Sequence, residues 1–300
     1  MKLSICIPIY NFDVRKLVFD LKKEIDRNAL DAEIILVDDA SNDKFKNFNQ
    51  ELKSEVEVFI FLDKNIGRAR IRNLFLNYAK GDYLLFLDCD GKVINANFIT
   101  NYLQLINENP ETKVIFGGRV VSNKVPQDDF KLRWKFANER ENLKLDDRLK
   151  IPFLSFQTNN FVIKKDVFLQ NKFNSEIKKY GYEDLLFAMD LQAKKIQIDH
   201  VENPILNNDI EENKVYLSKV EDSMESLATM FSNASSKKNI KEVKVVKAYD
   251  LIKILRLSKP ILYFYGFFHF KIRTNLLSKN PNLRLLDVYK LCLLLKMLKK

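Results

Sequence analysis

Five continuous apolar runs, separated by segments of helical period, constrain the fold of this chain more than any other feature. They are "LSICIPI" (3–9), "EIILVDD" (33–39), "VEVFIFL" (56–62), "DYLLFLD" (82–88) and "KVIFGGRV" (113–120). Between them, residues 14–27 carry apolar side chains at helical spacing, 43–53 read as a polar helix, and 68–79 and 95–108 read as helices. A strand apolar on both faces must be covered on both faces. The pattern therefore predicts an α/β fold, a mixed and mainly parallel sheet with helices on either side. Residues 121–157 lose this regularity and become charged, reading as an insertion with helical pieces. "NNFVIKKDVF" (159–168) returns to strand then helix, 181–195 reads as a helix and "IQIDHV" (196–201) as a short strand. From about residue 240 the chain reads as basic amphipathic helices.

Parallel sheets bind ligands at the carboxyl ends of their strands, and here those ends are polar. "PIYN" (8–11) closes the first strand, where Pro8 and Tyr10 can hold and stack a planar base, with Asn11 beside them. "VDDAS" (37–41) closes the second, and Asp38 and Asp39 can accept hydrogen bonds from a base and a ribose. "NIGRARIRN" (65–73) opens a helix whose backbone donors, with Arg68, Arg70 and Arg72, suit an anion such as a diphosphate. "LDCDGK" closes the fourth strand with Asp88 and Asp90 flanking Cys89. Two carboxylates at the mouth of an apolar strand repel each other unless a cation or a proton lies between them. Mg²⁺ and Mn²⁺ favour such hard oxygen ligands, with the phosphates of a nucleotide completing the shell. Together these strand ends describe a nucleotide-diphosphate site.

The charge supports that placement. Of the net +10, residues 237–300 hold 16 Lys/Arg against three acids, while the first 236 residues hold 34 against 37. All the excess positive charge lies in the tail, whereas a nucleic-acid enzyme concentrates it around the cleft, so no nucleic-acid partner is expected. Three scattered cysteines, Cys6, Cys89 and Cys292, form neither a disulfide framework nor a zinc site and suit a reducing cytoplasm. With His200 and His269 the only histidines, a His-rich metal cluster is excluded. No export signal is visible and no window approaches the roughly 20 apolar residues of a membrane span. The expectation is a cytoplasmic protein.

On "SICIPIYN", "IILVDDASND", "NIGRARIRN", "DYLLFLDCDGKV" and "GYEDLLFAMDL", in that order over residues 3–200, the chain resembles the family 2 glycosyltransferases of the GT-A fold. The resemblance implies an inverting transferase with a nucleotide-diphospho-sugar donor, a UDP-sugar above all, and a divalent metal cofactor, Mn²⁺ or Mg²⁺. It implies that Asp39 contacts uracil, that Asp88 lies near the ribose, and that Asp88-Cys89-Asp90 is the DXD motif with Asp90 on the metal. Cys89 itself reads as a small core filler rather than a nucleophile. The acidic pair opening the late helix supplies the catalytic base, Asp184 first and Glu183 in reserve. His200 stands where many relatives place a further metal or diphosphate ligand. Arg68 or Arg72 stabilises the departing diphosphate. The implied division is a catalytic domain over 1–236, with a nucleotide-binding half (1–120) and an acceptor-side half (121–236), followed by a basic helical tail (237–300).

Two other readings stand beside it. "LLFLDCDGKV" nearly matches the D-x-D-G-T signature of haloacid-dehalogenase phosphatases, with Asp88 as nucleophile and Asp90 as acid/base. Lys92 in place of Thr, the motif's position on the fourth strand, and the unexplained "PIYN" and "VDDAS" count against it. A non-enzymatic basic membrane adaptor built around the tail would leave the acidic strand ends without purpose. The tail interleaves Leu, Ile, Phe and Tyr with Lys and Arg over 247–300, which suits peripheral binding to an anionic membrane, the alternatives being packing on the catalytic domain or on another subunit. The expected acceptor is a saccharide or lipid-linked saccharide in bacterial surface polysaccharide or glycolipid synthesis; an oligomer is open.

Overall fold

Four of the five apolar runs form single strands at the expected places. The computed structural model describes residues 2–175, 181–207, 209–232 and 240–299, so the expected boundary at 236–237 lies outside the described residues. Two compact units divide the chain, one from Met1–Ser122, Leu143–Glu176 and Leu191–Asp209, the other from Asn123–Asn142, Ile177–Asp190 and Ile210–Lys300.

In the first unit, β1 (Leu3–Ile9), β2 (Ala32–Asp38), β3 (Val58–Phe61) and β4 (Tyr83–Leu87) are parallel, with β1 between β2 and β4. β8 (Asn160–Lys164) runs antiparallel between β4 and β6 (Val114–Phe116), and β9 (Asp199–His200) pairs parallel to β6 at the edge. The resulting order among the described residues is β3-β2-β1-β4-β8-β6-β9. The chain leaves β1 towards β2 and β3, then returns to β4 on the other side of β1. That reversal opens a crevice at the carboxyl ends of β1 and β4, the place where open α/β sheets bind ligands. Leu3, Ile5, Ile7 and Ile9 alternate onto one face and join Leu85, Leu87, Phe98 and Tyr102 in a continuous core. The helices on that face are α1 (Arg15–Asn28) and α4 (Phe98–Glu108).

The run at 113–120 is not one strand, as its composition predicts. It breaks at Gly117-Gly118 into β6 and β7 (Arg119–Val121), and Gly118 takes a left-handed φ of 90°. β7 joins a second, three-stranded sheet with β5 (Gly91–Lys92) and β10 (Ile205–Asn207). Asn160, fully buried on β8, ties the break together. It accepts from the Tyr102 hydroxyl at 2.7 Å and donates to the Gly118 and Asn203 carbonyls at 2.8 and 2.9 Å. The helices read over 43–53 and 68–79 stop earlier, at Asn49 and Leu74, and continue as single 3₁₀ turns.

The second unit is helical over its described residues. It holds α5 (Lys131–Phe136), the start of α8 (Glu183–Ala193), α9 (Asn213–Ser232), α10 (Lys244–Ile254), α11 (Ser258–Leu276) and α12 (Leu283–Met297). Leu217 and Val220 of α9 pack with Tyr265, Ile272 and Leu276 of α11 and with Leu286, Tyr289 and Cys292 of α12. Arg273, Glu221 and Tyr289 bind one another across these three helices.

A methyl group at Gly117 would collide with the Tyr102 hydroxyl and lie 2.6 Å from the Asn160 amide nitrogen, both held in the buried network. Gly117→Ala should therefore lose about 1–3 kcal/mol of stability, the usual range for overpacking a filled interior. Urea unfolding followed by circular dichroism measures it, and an unchanged midpoint would mean that the network has slack.

Candidate active site

Three strand ends of the first unit converge through hydrogen bonds. After β1, Asn11 takes a left-handed φ of 49°; its N–H donates to Ser41 Oγ at 2.8 Å, and its Oδ1 accepts from Asn42 N–H at 2.9 Å. The loop after β2 is thereby locked to the loop after β1. Tyr10 stays about half exposed, and Pro8 is half-buried. Asp38, fully buried, accepts from Ser41 N–H at 2.7 Å through Oδ1, while its Oδ2 is buried without a partner among the described residues.

Asp39 does work that its sequence position does not announce. Its Oδ1 accepts from Ile66 N–H at 2.7 Å and its Oδ2 from Gly67 N–H at 3.1 Å. Burial holds its carboxyl above the ordinary value, these two amides oppose that, and the Asp38 charge adds to the rise. The turn leading into α3 (Arg68–Leu74) is thus hung on Asp39, and Gly67 adopts the φ of 83° that the turn needs. Arg68 and Arg70 are exposed on this helix. Arg72 points inward: it is almost fully buried, donates to Asp88 Oδ1 at 2.7 Å and to the Arg68 carbonyl at 3.2 Å, and lies over the Phe173 ring. A guanidinium bound in this way is committed to the protein.

The end of β4 holds the acidic pair. All five residues of β4 are buried, and Asp88 turns the chain back, its carbonyl accepting from Gly91 N–H at 3.0 Å. Asp88 and Asp90 each have one carboxylate oxygen held by the protein, Asp88 by Arg72 and Asp90 Oδ2 by Asn207 Nδ2 at 2.5 Å. The Asp90 carboxyl is raised above its ordinary value, first by burial and then by the Asp88 charge, with Arg119 and Asn207 opposing. Cys89, half-buried between them, has its thiol pushed up to about 12, chiefly by burial and then by the Asp90 charge, with the Tyr10 backbone amide opposing. That contact brings the end of β1 to the end of β4.

His200 is not gathered with the aspartates. It lies on β9, three strands from β4 in the sheet order, about 14 Å at normal strand spacing. Its Nε2 is 3.0 Å from the Pro152 carbonyl, and its ring meets Phe116 edge-on. Burial, and secondarily the Arg148 charge, lower it to about 4. Among the described residues no group of three or more His, Cys, Asp or Glu side chains is arranged to hold a metal ion by itself. In the second unit, Glu183 is buried in the first turn of α8 and accepts from Gly181 N–H at 2.9 Å; Asp184 beside it is half-buried.

Asn207 and Arg119, which steady Asp90, carry no sequence signal strong enough to single them out. β10 and β7 are three residues each, too short to show a period.

Residues 4–170, more than half of the chain, match the family described as Glycosyl transferase family 2. The chain belongs to glycosyl transferase family 2. The match runs through every strand end described above up to Asp90, and it places the chain in this family rather than among the haloacid-dehalogenase phosphatases, with the GT-A fold of the solved structures below. Among curated relatives, a poly(ribitol-phosphate) beta-glucosyltransferase of Bacillus spizizenii is 27% identical over 207 residues, covering 66% of this chain and 31% of that protein. The chain thus spans about a third of that relative's length. Among solved structures, a mannosyltransferase of Pyrobaculum calidifontis in complex with GDP-Man and Mn²⁺ superposes with a TM-score of 0.58 at 13% identity, over 82% of this chain and 69% of that one. The 1–349 fragment of S. aureus TarS in complex with UDP-GlcNAc superposes with a TM-score of 0.51 at 18% identity, over 100% and 91%.

The raised Asp90 carboxyl gives a stability prediction with a definite sign. Ionising it costs more in the folded than in the unfolded chain, so its contribution is most favourable below the unfolded value near 3.8 and is lost as pH rises through the folded value. Asp90→Asn should therefore raise the melting midpoint of the ligand-free protein near neutral pH, by about 1 kcal/mol of stability, with the gain fading in acid. Calorimetric melting at several pH values checks this. A lower midpoint at neutral pH would show that the contacts with Asn207 and Arg119 outweigh burial.

Proposed function

We propose that this transferase moves a sugar from a UDP-sugar, bound with a divalent cation, to an acceptor hydroxyl with inversion at the anomeric carbon. The observation that carries the reading is the pair Asp88 and Asp90 at the end of β4, beside the β1–β4 crevice, with Asp90 held above its ordinary value by burial and by its neighbour. Such a pair gains most from a hard cation, and its oxygens fit Mn²⁺ or Mg²⁺. Asp90 and Asp88 would hold that cation, with the donor's phosphates as further ligands. When bound, it supplies Lewis-acid stabilisation of the diphosphate. The UDP-GlcNAc and GDP-Man–Mn²⁺ complexes of the two superposed transferases support a nucleotide-sugar donor and a metal.

The chain's own residues take the other parts. Pro8, Tyr10 and Asn11 border the base; Asp38 and Asp39 receive the base and ribose; Cys89 fills the floor. Arg68, exposed at the start of α3, meets the charge that develops on the diphosphate as the bond to the anomeric carbon breaks. Arg72 holds Asp88 in place and does not reach the phosphates, since its guanidinium is buried against that carboxylate. Asp184 removes the acceptor's proton as the hydroxyl attacks from the face opposite the nucleotide, while Glu183 secures the turn at Gly181. His200 packs the sheet edge and takes no part. The acceptor is a saccharide or lipid-linked saccharide in bacterial surface polysaccharide or glycolipid synthesis, and the basic helices keep the enzyme at the inner face of the cell membrane.

Calorimetric titration of UDP tests the site. Mn²⁺ should tighten binding by tenfold or more in the wild type and leave Asp90→Ala unaffected. Asp184→Asn should keep donor binding and lose about 10²–10⁴ in kcat, the usual contribution of a general base. UDP binding that ignores both metal and Asp90 would overturn the metal reading, and an active Asp184→Asn would move the base elsewhere.

A further inference from the structure

α11 has two apolar faces, and only one is covered. Tyr265, Ile272 and Leu276, spaced seven and four residues apart, are buried against α9 and α12. On the opposite side, Tyr263, Phe264, Phe267, Phe268 and Phe270 are each 50–78% exposed. The elbow from α10 into α11 continues this surface with Ile254 at 77% and Leu251 and Leu255 at 56% and 54%. A contiguous run of large exposed apolar groups marks a surface that meets something other than water.

Its surroundings say what. A cavity of about 450 Å³ opens at the same elbow, lined by Tyr249, Lys253, Arg256, Ser258, Lys259 and Lys299 over a floor of leucines. Four cations and no carboxylate line it. Among the described residues none of the four has a salt-bridge partner, although the second unit pairs other basic side chains readily, as Arg273 with Glu221 and Lys247 with Glu242. Ser258 Oγ, at the first turn of the 19-residue α11, is buried with no hydrogen-bond partner among the described residues. Lys271 extends the basic rim along the helix and lies over the Phe268 ring. Aromatic side chains beside unpaired cations match the layered chemistry of an anionic bilayer, with phosphate outside and acyl carbonyls and hydrocarbon beneath. A protein partner would more often meet the aromatics with apolar groups and leave the cations at the rim paired.

We propose that the α10–α11 elbow is a bilayer-docking surface: the basic cavity takes the phosphate of an anionic lipid, and the aromatic face of α11 seats in the headgroup layer. This rests on the membrane placement given above and assigns it to one surface within the basic helices. The covered face of α11 stays packed, so docking needs no unfolding.

Co-sedimentation of the full chain with vesicles tests it, using phosphatidylcholine alone and phosphatidylcholine containing a quarter phosphatidylglycerol. Wild type should bind the anionic vesicles at least tenfold more tightly, and less so as salt rises. Lys253→Glu/Arg256→Glu/Lys259→Glu should lose about 100-fold or more, the size expected for three basic side chains at an anionic surface. Phe264→Glu/Phe267→Glu should lose tenfold or more while circular dichroism and UDP binding stay unchanged. Lys279→Glu/Arg284→Glu, at the connection from α11 into α12 and the first turn of α12, should stay within twofold of wild type, as should wild type in millimolar inorganic phosphate. If the control pair loses binding and the elbow variants do not, membrane placement survives and this surface is wrong. If wild type ignores both vesicle types, both fall, whatever the UDP titration gives. Light scattering completes the test: a wild-type dimer that Phe264→Glu/Phe267→Glu splits would mean that a second copy covers the face, overturning the assignment.

Discussion

The site rests on the reversal of chain direction between β1 and β4. Were β4 to add beyond β3, its acidic end would stand at a sheet edge, far from Tyr10 and Asn11. Instead β1 lies between β2 and β4; short hydrogen bonds from Asn11 to Ser41 and from Asn42 to Asn11 join the loops leaving β1 and β2, and the Tyr10 backbone amide meets Cys89 after β4. The apolar packing of β1 and β4 in one core makes that adjacency rigid. Polar groups that repel or need solvent are thereby held at the carboxyl ends of β1 and β4, where open α/β sheets bind ligands.

Much of this was legible because buried parallel strands leave an unusual signature. Runs such as "LSICIPI" and "DYLLFL" are apolar on both faces, and little else in a globular chain of this composition is. The polar residues that end them were legible for the same reason, since the transition from apolar to acidic is abrupt. What could not be read were features set by tertiary contact. Gly117-Gly118 looks like the middle of a strand until Tyr102 and Asn160 are seen to occupy the space beside it. β5, β7 and β10 are two or three residues long and exist through their pairing, not through propensity. Arg72 and Arg68 are alike in sequence, yet one is buried on Asp88 and the other is exposed.

Some polar side chains near the two candidate surfaces are spent on structure. Glu183 and Arg72 are spent on holding a turn and a carboxylate. Asp38 Oδ2 and Ser258 Oγ are buried without partners among the described residues, one at the crevice end of β2 and one at the basic cavity. Buried polar atoms are nearly always satisfied in folded proteins; Arg72 Nε, His200 Nδ1 and Tyr265 OH share this state, so these two atoms count only together with the strand end and the basic cavity around them.

Cys89 has a chemical consequence of its own. Thiols become nucleophiles and soft-metal ligands only as thiolates. Burial first, and then the Asp90 charge, push its thiol up to about 12, so the sulfur is almost wholly protonated at neutral pH. Alkylating and oxidising reagents, which need a thiolate, therefore find little to attack at Cys89 in the ligand-free protein.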